Sequence, residues 1–127
     1  MVQTLAWVFG AVFVLVGVLG FVPGITSDGH LLGIFEVDTL HNVIHLLSGV
    51  AALAAAWGMY SARVYFKVFG VVYALVTVLG FIMGGSILGL IMVNMADNIL
   101  HLAIAIVALY AGFWLKEGGG MDTRPSM

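Results

Sequence analysis

Two short stretches hold most of the groups in this chain that could do chemistry, His41-Asn42-Val43-Ile44-His45 and Asp97-Asn98-Ile99-Leu100-His101. On a helix, residues three and four apart share a side, so each stretch presents its polar groups on one face. Imidazole and carboxylate at that spacing suit zinc or another divalent ion, with His41, His45, Asp97 and His101 as the candidate ligands. The ionisable groups would equally serve as a proton or ion path. A haem held axially by His45 and His101 ranks behind both.

A plain packing role competes with all three. Asp38 and Asn94 stand just before the two stretches, and both residue types cap helix N-termini by accepting backbone N–H bonds. Asp97, three residues after Asn94, then falls in a first helical turn, where the dipole favours it and a capping arrangement can absorb it. Asn42, Asn98, His45 and His101 can hydrogen-bond across a bundle of otherwise interchangeable apolar faces. His45 and His101 lie about 10 Å along the helix axis from those caps, inside hydrocarbon if the helices span a bilayer. His30, beside Asp28 and Gly29, reads as a solvated loop residue. Ser48 follows His45 by three with no evident oxyanion donor, so no serine-hydrolase set is assembled and no enzymatic activity is expected.

The elements that must position these groups follow from composition. The chain has 127 residues, 63% hydrophobic and only 8% charged, with a formal net charge of −2 and a mean hydropathy of +1.19. A soluble domain carries roughly a quarter charged residues. The runs Leu5 to Gly24, Leu46 to Tyr60 and Val68 to Ala96 contain no Asp, Glu, Lys, Arg or His. A membrane-spanning helix requires about 20 apolar residues, so the expectation is an all-α membrane protein with helices over Thr4 to Val22, Thr39 to Tyr60, Tyr65 to Met83 and Met95 to Leu115. The lipid bilayer is its surroundings and nucleic acid is no partner. Cysteine is absent, which removes disulfides and thiolate metal sites. The first apolar run has no basic residue before it and no small-residue cleavage pattern after it, and reads as a retained helix.

The halves resemble each other. Val8 to Gly24 matches Val68 to Gly84 at eleven of seventeen positions, and Leu32 to Ala55 matches Leu88 to Ala111 at nine of twenty-four, pairing Asn42 with Asn98 and His45 with His101. The predicted architecture is therefore a four-transmembrane-helix bundle of two helical-hairpin repeats in the same orientation, one integral membrane domain over 1–127. Repeat 1 covers about 4–60, repeat 2 about 65–115, and 116–127 form a flexible polar tail. A pseudo-twofold axis along the membrane normal would bring His41, Asn42, His45, Asp97, Asn98 and His101 together near the outer leaflet.

Arg63, Lys67, Lys116 and Arg124 are the only basic residues besides histidine, and all fall on the side of the termini. The positive-inside rule then places both termini in the cytoplasm, in an inner membrane. Trp7, Trp57 and Trp114 fall near the same ends, where indole rings favour the headgroup layer. Gly10, Gly17 and Gly24, with Gly70, Thr77 and Gly84 after them, recur every seven residues as small packing faces. His45, Gly49, Ala52 and Ala56, and likewise His101, Ala105, Ala108 and Gly112, line the facing helices. Such faces serve packing within one chain, a homo-oligomer or a membrane-protein partner.

The run LLGIFEVDTLHNVIHLLSGVAALAAAW, preceded by GFVPG and followed by YFKVFGVVYALVTVLGF, resembles the bacterial small membrane proteins grouped as domain of unknown function 4383. The similarity covers Leu5 to Phe113. Its most specific part is the HNxxHL motif, here His41, Asn42, His45 and Leu46, and the second copy departs from it at Asp97. The resemblance implies a four-helix membrane protein and carries no activity with it. From the residues the leading expectation is a structural or partner-binding bundle organised by a buried polar cluster, and the alternative is metal binding or ion conduction through His41, His45, Asp97 and His101.

Overall fold

The computed structural model of the chain describes residues 1–115. Four helices dominate it: α1 Val2–Leu19, α2 Thr39–Trp57, α3 Ala62–Met83 and α4 Met95–Phe113. Each is long and apolar enough to cross a bilayer, and the chain is a multi-pass membrane protein. The helix limits differ from the expected ones for identifiable reasons. α1 stops at Leu19, whose carbonyl accepts the Thr26 hydroxyl at 2.8 Å. α2 stops at Trp57 because Gly58 takes a left-handed φ of +102°. α3 begins three residues early because the Ser61 hydroxyl accepts from the Val64 N–H. The segment 116–127, expected as a flexible tail, lies outside the described residues.

Packing takes two forms. Within each hairpin, small residues let backbones close in: a Cβ added at Gly49 would stand 2.7 Å from the Val14 backbone nitrogen, and one at Gly112 equally close to that of Lys67. Gly24 and Gly84 do not belong to these faces. They lie beyond the helices with φ of +93° and +83° and nothing within 4 Å of an added Cβ, so the seven-residue spacing runs on past the last helical turn. Between hairpins the contact is aromatic instead. Phe9 meets Phe66 edge-on at 5.0 Å and Phe13 meets Phe69 at 5.4 Å between ring centroids, an arrangement that ring quadrupoles favour.

The connections opposite the termini are not irregular loops. The first folds as β1 Thr26–Ser27, β2 His30–Leu31 and β3 Phe35–Glu36, an antiparallel sheet in that order, and the second as the hairpin β4 Ser86–Ile87 and β5 Ile91–Met92. Asp28 and Gly29 take φ of +52° and +74°, the two positive values of a type I′ turn, and Asp-Gly is a strong short-range hairpin signal. Leu32-Gly33 and Leu88-Gly89 repeat the same pair of positive values. His30 is therefore a strand residue, its Nδ1 held 2.8 Å from the Asp28 carbonyl.

These small sheets tie the hairpins together. Asp38 caps α2 by accepting the His41 N–H at 2.7 Å through Oδ1, while Oδ2 accepts the Met92 N–H of β5 at 2.7 Å. Asn94 caps α4 and donates from Nδ2 to the Ile34 carbonyl at 2.9 Å. At the other end, Gln3 donates to the Ala55 and Ala56 carbonyls, and Arg63 to those of Gly112 and Leu115. Both sets satisfy helix C-terminal carbonyls that would otherwise be orphaned. Trp7, Trp57 and Trp114 are exposed at this end.

Candidate functional site

All six residues of the expected polar cluster are buried, but the structure divides them among three tasks. The asparagines belong to the hairpins. A Cβ added at Gly20 would fall 1.9 Å from the Asn42 Oδ1, and one at Gly80 would fall 2.2 Å from the Asn98 Oδ1. Each amide thus sits in a notch that only glycine leaves open, and Asn98 Nδ2 donates to the Gly80 carbonyl at 3.2 Å. In hydrocarbon such a bond ties neighbouring helices.

Asp97 caps α4. Its Oδ2 accepts the Asn94 N–H at 2.9 Å while Asn94 Oδ1 accepts the Asp97 N–H at 2.9 Å, a reciprocal capping box. Asp97 is not among the residues whose ligating atoms converge.

The three remaining histidines do converge. Ring centroids are 4.5 Å apart for His41 and His45, 5.6 Å for His41 and His101, and 6.3 Å for His45 and His101. One ligating nitrogen from each lies within 4.8 Å of the other two. His41 Nδ1 stands 3.1 Å from the Met92 carbonyl. A carbonyl only accepts, so Nδ1 carries the proton and Nε2 is left with its lone pair. His41 Nε2, His45 Nδ1 and His101 Nδ1 are buried with no hydrogen-bond partner among the described residues.

An unsatisfied buried polar atom costs about 1–3 kcal/mol, so three together rival the net stability of a typical small domain, about 5–15 kcal/mol. A partner shared by the three nitrogens would offset that cost. A tetrahedral zinc ion with ligand bonds of about 2.0–2.1 Å holds its nitrogens about 3.3 Å apart, so the rings need only draw inward by small rotations. Three histidines with one position left open is a known zinc arrangement. The His41 Nδ1–H bond to a carbonyl is the outer-shell contact that fixes a ligand's tautomer and orientation.

Of the two readings that the spacing of Asp97 supports, a ligand beside His101 and a capping partner of Asn94, the capping box is formed, and Met92 and Ile91 from the second outer hairpin join the surroundings of the histidines. Tyr65, Phe69 and Tyr73 on α3 also stack beside the histidines, with Tyr73 edge-on to His101 at 5.4 Å. A signal for Tyr73 exists in the comparison of halves, where it stands opposite Phe13 as polar against apolar.

No curated protein and no solved structure matches the chain. The family model for domain of unknown function 4383 matches residues 3–114, and the chain belongs to that family.

Proposed function

We propose that this membrane protein binds one transition-metal ion of the zinc class through His41, His45 and His101, at the end of the bundle opposite the termini. The observation that carries the reading is the convergence of three buried histidines, one ring nitrogen of each within 4.8 Å of the other two, and each of the three also has a ring nitrogen without a hydrogen-bond partner among the described residues. Neutral imidazole is a borderline ligand suited to zinc, copper, nickel or iron and poorly suited to calcium or magnesium. Asp97 is left out of this ligand set because its carboxylate accepts the Asn94 N–H in the capping box and is not among the converging groups. With no nucleophile-base pair beside the cluster, the reading is binding rather than catalysis.

A second reading, a bundle whose polar groups serve packing and partner contact alone, is supported by the asparagine notches and the Asp97 capping box. It gives Asn98 Nδ2 and Asp97 hydrogen-bond partners and leaves the histidine nitrogens, with the Asn42 and Asn98 Oδ1 atoms, without one among the described residues. The two halves are read as repeats related by an axis along the membrane normal, with the termini and the α2–α3 connection cytoplasmic, because Arg63 and Lys67 stand near the start of α3 at that end and the sequence places Lys116 and Arg124 after α4.

Metal analysis of detergent-purified protein loaded with zinc, or with cobalt as a spectroscopic substitute, tests the metal reading. The native chain should hold one ion, lose it on His45→Ala or His101→Ala, and keep it on Asp97→Asn. Failure of the native chain to retain any metal, or retention by His101→Ala equal to native, defeats the metal reading and leaves the packing one.

A further inference from the structure

A cavity of about 520 Å³ runs between α2 and α3 from Tyr60 to His41, His101 and Ile91, within the 300–1,000 Å³ range of small-molecule sites. Its mouth is flanked by Leu47, Val64, Val68 and Val72, all exposed. In a membrane-spanning bundle these residues face acyl chains, so a ligand enters from the bilayer. A smaller cavity of about 180 Å³ between α1 and α4 reaches His45. In the alignment of the halves the two are counterparts: Val68, Phe69, Val72 and Val76 correspond to Val8, Phe9, Val12 and Val16. They differ where polarity matters. The larger has Ser48 and Tyr73 where the smaller has Ile104 and Phe13.

We propose that the α2–α3 cavity binds a neutral lipophile of the quinone class, a flat oxygen-bearing ring on an apolar tail, with the ring at the histidine end. Four features select this chemistry. The lining contains no Asp, Glu, Lys or Arg, so a phosphate headgroup would be buried without a counter-charge. The histidine end is covered by the β4–β5 hairpin, through Ile91 in the lining and the Met92 bond to His41, which places the head beneath a lid and not in the headgroup layer. Phe69 and Tyr73 are stacked at 4.3 Å with 28° between planes, an aromatic wall suited to a planar ring. The cavity as a whole runs toward Tyr60 along roughly 15–18 Å of helix, from His41 to Ala51 on α2 and Val76 to Val64 on α3, room for a short tail. His41 and His101 line this end of the cavity, so a ring oxygen there would lie beside two of the candidate metal ligands, and to that extent the inference rests on the metal reading above.

The test uses full-length protein in detergent, loaded with zinc, with decyl-ubiquinone as probe. Retained quinone after gel filtration is measured against empty micelles, and zinc is measured in the same samples. Native protein should retain the probe. Val72→Phe, which fills the mouth, and Ser48→Ile, which reproduces the smaller cavity, should each weaken retention roughly tenfold with zinc content and thermal midpoint unchanged. Zinc held without quinone retention defeats this inference alone. Quinone retained by a native chain that holds no zinc, and lost in both variants, sustains the cavity and defeats the metal reading alone. Variants that retain the probe as well as native, or displacement of the probe by an equimolar amount of phosphatidylglycerol, overturn the proposal.

Discussion

His41 and Met92 are joined across the two hairpins: the imidazole of α2 donates from Nδ1 to the carbonyl of β5, 3.1 Å away. The same strand donates its Met92 N–H to the Asp38 carboxylate that caps α2. A ligand candidate in one hairpin thus has its ring held by the outer connection of the other, and loop and site should respond to substitution together.

Asp38→Ala should lower stability by about 1–2 kcal/mol through the lost cap alone and should weaken metal retention as well, because β5 loses one of its two bonds to the start of α2. Asp38→Asn keeps a capping oxygen and should cost less on both counts. Thermal midpoints with bound-metal measurements on the same preparations check this. Unchanged metal content in Asp38→Ala would show that the histidine geometry does not depend on β5.

Zinc ligation requires neutral imidazole, and proton competition releases the ion. Retention measured from neutral to mildly acidic buffer should therefore fall as pH falls, and recover on neutralisation. The release should shift little in Asp97→Asn, since that carboxylate serves the Asn94 backbone. A pH of release that moves strongly with Asp97 would put the carboxylate back among the ligands.

Gly20→Ala and Gly80→Ala should each destabilise the bundle by about 1–3 kcal/mol, the usual cost of overpacking, because the new methyl would collide with Asn42 or Asn98. Combining Gly80→Ala with Asn98→Ala should cost less than the two single changes added, a coupling that a double-mutant cycle reads directly. Additive costs would mean that the amide moves aside freely.

Bulk on the small-residue faces should discriminate in the same way. Gly49→Leu or Ala105→Leu should lower the thermal midpoint in detergent far more than Val50→Leu, since Gly49 and Ala105 are buried and Val50 is 57% exposed. Equal tolerance of all three would relocate the interface.

The chain contains no cysteine, so single cysteines report sidedness without background. Positions 28 and 85 should react with an impermeant reagent from outside and positions 63 and 67 only from the cytoplasmic face. The reverse pattern would invert the topology.

The four spans were legible because lipid demands uncharged helical runs of fixed length, and the caps at Asp38 and Asn94 because short polar side chains before apolar periodicity have few other uses. Legibility failed where two uses of one residue compete. Asp97 stands four before His101, as a ligand pair would, yet its carboxylate is also within reach of the backbone N–H three residues earlier, and that bond is the one formed. Spacing cannot decide between them. The outer connections were read as loops although Asp28-Gly29 carries a hairpin signature, since strands of two residues leave no alternation to detect. The α2–α3 cavity was invisible for another reason: its polar groups, Ser48 and Tyr73, are dispersed over two helices and surrounded by valine.

The division of the polar residues has a bearing on how such a site can arise. An assembly of two identical hairpins about a twofold axis offers ligands off the axis in even numbers, two or four. Three imidazoles become available only once one copy of a matched position, here Asp97 against His41, is free to differ from the other. A single chain permits that difference, and the capping box provided Asp97 with structural work to do. Because the hairpins belong to one chain, they can contribute unequal numbers of imidazoles, two from α2 and one from α4.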